Sequence, residues 1–431
     1  MTESLLIKRA KVIGRQDVVD IKIENGLISE IGANLKDGAE VIDAGGRIVS
    51  PGFMDMHFHL DSVLTMGDPR YNESGTLLEG IEIWAERKRK LSVSDIVQRA
   101  GKALRLMVAH GTTAIRTHAD VTDPTLTTVK GLLEVKKLYQ NIIDVQITAF
   151  PQDGILTDPA NLELLEKAVE MGVDNVGMIP HIEYTREDGV KSIEEAFRIA
   201  KTYDRDIDGH VDETDDEQSR FLEVVASYAI KENYVGRVAA GHCTAMHSYN
   251  DAYAAKLYRL LKKAGVTVVA NPLINIHLQG RFDTYPKRRG MARVKELLNN
   301  GVNVALGHDC IMDPWYPLGR GDMVQVLFMA VHVGQLMSYS ELKQAFNLIT
   351  YNAAKTLRIG DKYGIKVGAQ ADLVVLDAFD ELEALAFQRT PLYVIKRGRI
   401  VSKNTPEETQ VLNPENNQFT NPRKEQPILR R

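Results

Sequence analysis

Two histidines separated by one residue, His57 and His59, follow the apolar run Arg47-Ile48-Val49-Ser50 and the turn Pro51-Gly52. In an extended segment, side chains two apart share a face, so the two imidazoles project together while Phe58 turns into packing. Two imidazoles on one face at a strand end make half of a metal site and need ligands from elsewhere in the chain. Suitable residues recur, each at the end of its own apolar run: His210 with Glu213 three residues on, His242, and Asp309. His118 and Gln152 close two further runs of the same kind. Singly, each has a plainer reading, as a hydrogen-bonded core histidine or an aspartate capping a helix. Their joint recurrence at strand ends points instead to a metal-dependent hydrolase.

The residue types suit that chemistry. Three neutral imidazoles, His57, His59 and His210, with the Asp309 carboxylate fit one divalent ion and leave a position for water. An ion so held brings the pKa of water toward ~7. Asp309 can also take a proton from the attacking water, His242 can orient or polarise it, and Glu213 is placed to shuttle a proton to the substrate. A second ion would need a bridging group, commonly a carboxylated lysine, at a mid-barrel strand end. The stretch Gly177-Met178-Ile179-Pro180-His181-Ile182-Glu183 has no lysine, which favours a single metal. The compact zinc-deaminase signature, His-x-Glu with Pro-Cys-x-x-Cys, is also missing, because Cys243 and Cys310 lie far apart.

Converging these residues requires a particular scaffold. Between about 52 and 360, apolar strand-like runs alternate with amphipathic helical ones in eight units. The runs end at or near His57, His118, Phe150, Ile179, His210, His242, Asn271 and Asp309. Such alternation predicts a parallel sheet, and eight units predict an α/β fold of the (β/α)8 TIM-type barrel, whose chemistry sits at the C-terminal strand ends. Short strands up to about residue 50, and again from Gly364 to Val401, predict a small β-sandwich domain built from both chain ends. The expected division is 1–51 plus 365–431 for that domain and 52–364 for the barrel inserted in it. From about Lys403 the Pro-, Asn- and Gln-rich composition predicts an extended tail.

The chain has 431 residues, 44% hydrophobic and 26% charged, an ordinary globular composition. A net charge of −5 argues against a nucleic-acid or anionic-membrane partner. The run Arg87-Lys88-Arg89-Lys90 reads as a solvated helix face, and Lys287-Arg288-Arg289 as a loop surface or subunit contact. Two cysteines exclude a disulfide framework and fit a reducing compartment. With no leader-like N-terminus and no apolar run of ~18 residues, a soluble cytoplasmic protein is expected.

Longer runs carry a resemblance. They include His57-Phe58-His59-Leu60-Asp61, Ser74-Gly75-Thr76-Leu77 with Glu79-Gly80-Ile81, Trp84-Ala85-Glu86-Arg87-Lys88, and Phe150-Pro151-Gln152. Others are Asp212 to Phe221, Asn275 to Gly290, Gly307-His308-Asp309 and Asp313-Pro314-Trp315-Tyr316-Pro317-Leu318-Gly319. Together they resemble the amidohydrolase superfamily and, within it, the bacterial cytosine deaminase family, over nearly the whole chain. The resemblance implies Fe(II) or Zn(II) bound by His57, His59, His210 and Asp309. Gln152 would hold the amide-like edge of a pyrimidine, offering both a donor and an acceptor, and Leu77 and Trp315 would line the pocket. Hydroxide would attack C4, Glu213 would protonate N3, and ammonia would leave. The implied partner is a free nucleobase, and the implied assembly a homo-oligomer with a hexamer as the expected size.

One residue departs from the family. Cys310 stands where a second aspartate often follows the metal aspartate. A smaller, less polar side chain there would loosen the pocket beside the ring. Tolerance of 5-methylcytosine or of other amino-heterocycles such as isoguanine or creatinine is one expectation, and an unchanged preference for cytosine is the other. The nearest alternative activity is hydrolytic ring opening of a cyclic amide, which releases no ammonia. A non-catalytic scaffold is disfavoured because all four metal ligands stand.

Overall fold

A computed structural model describes residues 4–36 and 40–422. The chain begins with β1 (Ser4–Val12), β2 (Val18–Glu24), β3 (Leu27–Gly32), β4 (Glu40–Asp43) and β5 (Ile48–Pro51). It then passes through Gly52 into the barrel strands β6 (Phe53–Phe58), β7 (Thr112–Asp120), β8 (Asp144–Phe150) and β9 (Asn175–Val176). The barrel continues with β10 (Asp206–Val211), β11 (Val238–His242), β12 (Thr267–Ala270) and β13 (Val304–Leu306). These eight strands pair in sequence order, every pair parallel. A parallel bridge between Phe58 and Asp309 joins the two edges, with Asp309 N–H donating to His57 O at 2.8 Å and His59 N–H to Asp309 O at 2.9 Å. The barrel is therefore closed at the two segments that carry the outermost candidate ligands.

After the barrel, β14 (Leu373–Val375), β15 (Tyr393–Lys396) and β16 (Arg399–Lys403) return to the first sheet. Its order is β16-β15-β14-β5-β1-β2-β3, with β4 also on β1, so β14 lies antiparallel to β5 and both chain ends share one sheet. That sheet has a core of its own, including Ile7, Ile21, Ile28, Leu373 and Ile395. It is joined to the N-terminal end of the barrel by buried charge. The ammonium of fully buried Lys396 donates to Asp372 and to Asp144, each at 2.6 Å, and Asp144 opens barrel strand β8. Asp372 is further tied by the Arg397 N–H at 2.7 Å and the Gln370 amide at 2.8 Å.

Several local expectations are corrected. The helix after β10 starts only at Phe221, because the Asp212 carboxylate accepts the N–H groups of Phe221 at 3.0 Å and Leu222 at 2.9 Å. Residues 213–220 are left as a loop over the barrel mouth. The basic run is not a uniform solvated face: Arg87 is buried against Asp68 and Asp95, and Lys88 reaches Asp120 and Asp153. Only Arg89 and Lys90 of that run are exposed. The tail is not wholly extended, since β17 (Val411–Asn413) and β18 (Gln418–Thr420) form an exposed antiparallel hairpin. Its last residues, from 423, lie outside the described ones. Among the described residues, no helix is long and apolar enough to cross a membrane.

Candidate metal centre and active site

Alternation along β6 sends His57 and His59 into the barrel mouth, where both are buried. Asp55, two residues earlier, fixes their backbone by accepting the N–H of His57 at 3.3 Å and that of His308 at 3.1 Å. His210 comes from the end of β10 and His242 from the end of β11. Close approach is built in: a Cβ on Gly241 would lie 2.7 Å from His57 Nδ1. His242 and Asp309 both adopt left-handed backbone, with φ of 66° and 72°. That conformation costs about 1–3 kcal/mol for a residue other than glycine, and such strain clusters at functional sites.

The ring nitrogens converge. His59 Nε2 lies 3.1 Å from His210 Nε2, and His242 Nε2 lies 3.1 Å from His57 Nε2. Asp309 stands 3.8 Å from His57 Nε2, 3.7 Å from His59 Nε2 and 3.8 Å from His242 Nε2. These carboxylate distances are too long for hydrogen bonds. Nitrogens this close to one another and to an acidic oxygen fit a shared cation with bonds of about 2.0–2.2 Å. Burial, reinforced by the neighbouring imidazoles, holds His57, His210 and His242 well below the usual histidine range, in the neutral form that ligates. Burial also pulls on His59, but Asp61, Asp309 and Asp313 outweigh it and raise that imidazole, so the local field favours positive charge. Burial lifts Asp309 to about 6 against the pull of His59. The donor set fits a divalent metal.

A cavity of about 230 Å³ opens above these groups. His59, His210, His242 and Asp309 form its polar floor, while His57 lies beneath. Gln152, Glu213 and Cys310 face it from the sides, and Leu77 and Trp315 complete the wall. Nine of the candidate residues from the sequence thus line one cavity, with His57 under it. Glu213 Oε1 sits 3.1 Å from His242 Nδ1, and burial, then the Asp309 charge, lifts the Glu213 carboxyl well above the usual range. The side-chain amide of Asn275 reaches the same nitrogen of His242 at 2.9 Å. Cys310 Sγ approaches Asp309 Oδ1 at 3.4 Å. The sequence assigns His242 the role of orienting the water, and its Nε2 is as close to His57 as the His59 and His210 nitrogens are to each other.

The surroundings of the imidazoles emerge only here. The His118 ring packs 4.3 Å from that of His57, 4.6 Å from His210 and 5.1 Å from His59, so it belongs under the imidazole cluster. Its Nε2 is 4.0 Å from Asp208 Oδ2, and Asp208 faces the buried guanidinium of Arg116 at 3.5 Å. The position of His118 at a strand end gave a signal; the inward charges of Arg116 and Asp208 gave none. His181 also lines the cavity, with burial pushing it down to about 4. It lies in the lysine-free stretch from Gly177 to Glu183.

Known proteins match the chain over most of its length. A model of the amidohydrolase family matches residues 40–402. The chain is 42% identical to 5-methylcytosine deaminase from Klebsiella pneumoniae, crystallised with 5-fluorocytosine, with a TM-score of 0.92 over 94% of this chain and 99% of that one. It is 31% identical to N-isopropylammelide isopropyl amidohydrolase of Pseudomonas sp. (strain ADP), over 93% of this chain and 97% of the relative. It is also 31% identical to a pterin deaminase of Rhizobium rhizogenes (strain K84), over 90% and 89%.

Proposed function

The chain belongs to the amidohydrolase family, and on that premise we propose that it is a hydrolytic deaminase of a free aminopyrimidine, taking cytosine and its 5-methyl derivative to uracil and thymine with release of ammonia. The observation that carries the reading is the pairing of Gln152 and Glu213 over a floor of imidazoles and a carboxylate, in one small cavity. The 42% identity to a 5-methylcytosine deaminase supports the substrate class.

His57, His59, His210 and Asp309 would hold Fe(II) or Zn(II). When bound, the ion supplies the acidity that makes hydroxide available from water near pH ~7. Gln152 binds the ring's amide edge, with donor and acceptor on one side chain. Leu77 and Trp315 hold the ring flat. Asp309 takes the proton released by the attacking water, and His242 orients that water. Glu213 keeps its proton because burial disfavours its charge, and it delivers that proton to N3 as oxygen adds to C4. The proton gathered by Asp309 then passes to the amine, the C4–N bond breaks as the C4 hydroxyl returns its proton to Glu213 and becomes the carbonyl, and ammonia departs.

Cys310 lies in the wall, buried beside Asp309. Its thiol is smaller and less polar than a carboxylate, and this leaves room for a C5 methyl group beside the ring. Ammonia release with product mass tests the whole reading: thymine and ammonia in equal amounts from 5-methylcytosine support it. A thousandfold preference for cytosine would remove the role of Cys310, and a ring-opened acid without ammonia would replace the activity with cyclic-amide hydrolysis. The same reading makes the nucleobase the partner and a homo-oligomer the assembly, which light scattering on the purified protein measures.

A further inference from the structure

Trp315 is a wall shared by two cavities. On one side is the active-site cavity, and on the other a cavity of about 150 Å³ lined by Tyr71, Asn72 and His277, among others. The indole leans on the helix Leu77–Lys88, whose Leu77 and Ile81 face the active-site cavity. The point of contact is Gly80. A Cβ built on Gly80 would stand 2.4 Å from Trp315 Cδ1 and 2.6 Å from Nε1. Real side chains do not approach so closely, so even a methyl group there would displace the ring.

Nothing in the backbone requires glycine at this position. Gly80 lies inside the helix, its N–H donates to Thr76 O at 3.2 Å, and its φ is not left-handed. Glycine inside a helix is destabilising relative to alanine. An interior helical glycine therefore needs a packing reason, and the indole supplies one. Two rings also neighbour the indole, His59 and Trp84, each with its centroid 6.4 Å away.

We propose that Gly80 is a positioning residue for substrate selection: its missing side chain sets where Trp315 stands and thereby the width of the slot that receives the heterocycle. The term substrate rests on the deaminase reading, whereas the contact does not. Trp84 and Trp315 are the only tryptophans of the chain. Protein labelled with 5-fluorotryptophan therefore gives two fluorine resonances, which Trp315→Leu assigns.

Gly80→Ala is expected to move the Trp315 resonance while leaving that of Trp84 in place and the bound metal undiminished. KM for cytosine and 5-methylcytosine should rise about tenfold or more, a step comparable to one misplaced methylene, while kcat changes far less. In a Trp315→Leu background, Gly80→Ala should raise KM no further, because the clashing partner is gone. An unmoved Trp315 resonance, or an equal KM penalty in both backgrounds, overturns the proposal. If Gly80→Ala does not fold, recovery of folding in Gly80→Ala/Trp315→Leu supports the contact, and failure of both overturns it. A wild-type protein that turns over neither base would end the deaminase reading, and the resonance shift would still decide the role of Gly80.

Discussion

Strand β8 connects two buried polar clusters that are satisfied in opposite ways. At its N-terminal end, the half-exposed Asp144 and the buried Asp372 each pair with Lys396, so the buried ammonium has close acidic partners. At its C-terminal end, Phe150 stacks 4.0 Å from His210. There the ring nitrogens face one another at 3.1 Å, and the Nδ1 atoms of His57 and His210 and the Nε2 of His118 are buried without hydrogen-bond partners. Buried polar groups are ordinarily paired, and exceptions call for a physical reason such as an ion or a catalytic role. The base of the barrel is a structural joint, whereas the rim is arranged for a cation and a substrate.

Substitutions at the two ends should therefore separate activity from stability. The largest effect belongs to Glu213→Gln, which keeps the volume but cannot deliver a proton. Turnover should fall by about 10²–10⁴, with metal content and melting temperature unchanged. Near-normal turnover would reassign the proton shuttle. Since burial raises the Glu213 pKa, wild-type kcat should be highest where that group is still protonated. It should decline as pH rises through the shifted value, above the ordinary carboxylate range, as a pH–rate profile would reveal.

Lys396→Met should do the reverse. It leaves the buried Asp372 carboxylate without its cation, while the half-exposed Asp144 keeps Arg397, and should cost about 3–5 kcal/mol of stability. The folded fraction should keep its metal and KM, as denaturant unfolding alongside kinetics can check. If activity per folded molecule also collapsed, the two clusters would be coupled rather than separate. The smallest effect is at Cys310→Asp. A carboxylate there should shift kcat/KM toward cytosine over 5-methylcytosine by about 10- to 200-fold, or 1–3 kcal/mol, leaving fold and metal intact.

The contrast between the two ends also describes what the sequence revealed. His57 and His59 were legible because a spacing of two in a strand puts both on one face. His210, His242 and Asp309 were legible because each closes an apolar run. The barrel followed from alternation, even though β9 has only two residues and the expected run to Ile179 turns out of the sheet after Val176. What stayed hidden depends on packing between distant segments. Lys396 looks like an ordinary strand lysine until Asp144 and Asp372 are brought to it. His118 reads as one rim residue among several until closure of the barrel stacks it under three other imidazoles. Arg87 and Lys88 read as surface charge because their partners, Asp68, Asp95, Asp120 and Asp153, sit on other segments. The delayed helix start at Phe221 reflects Asp212, whose side chain caps it from nine residues upstream.

X-ray absorption at the metal edge of the purified protein tests most directly whether the rim is a metal cage. The expected result is one Fe or Zn ion per chain with nitrogen and oxygen neighbours at about 2.0–2.2 Å and no sulfur shell near 2.3 Å, despite Cys310 beside Asp309. A sulfur neighbour, or protein that binds neither ion stoichiometrically after reconstitution, would contradict it.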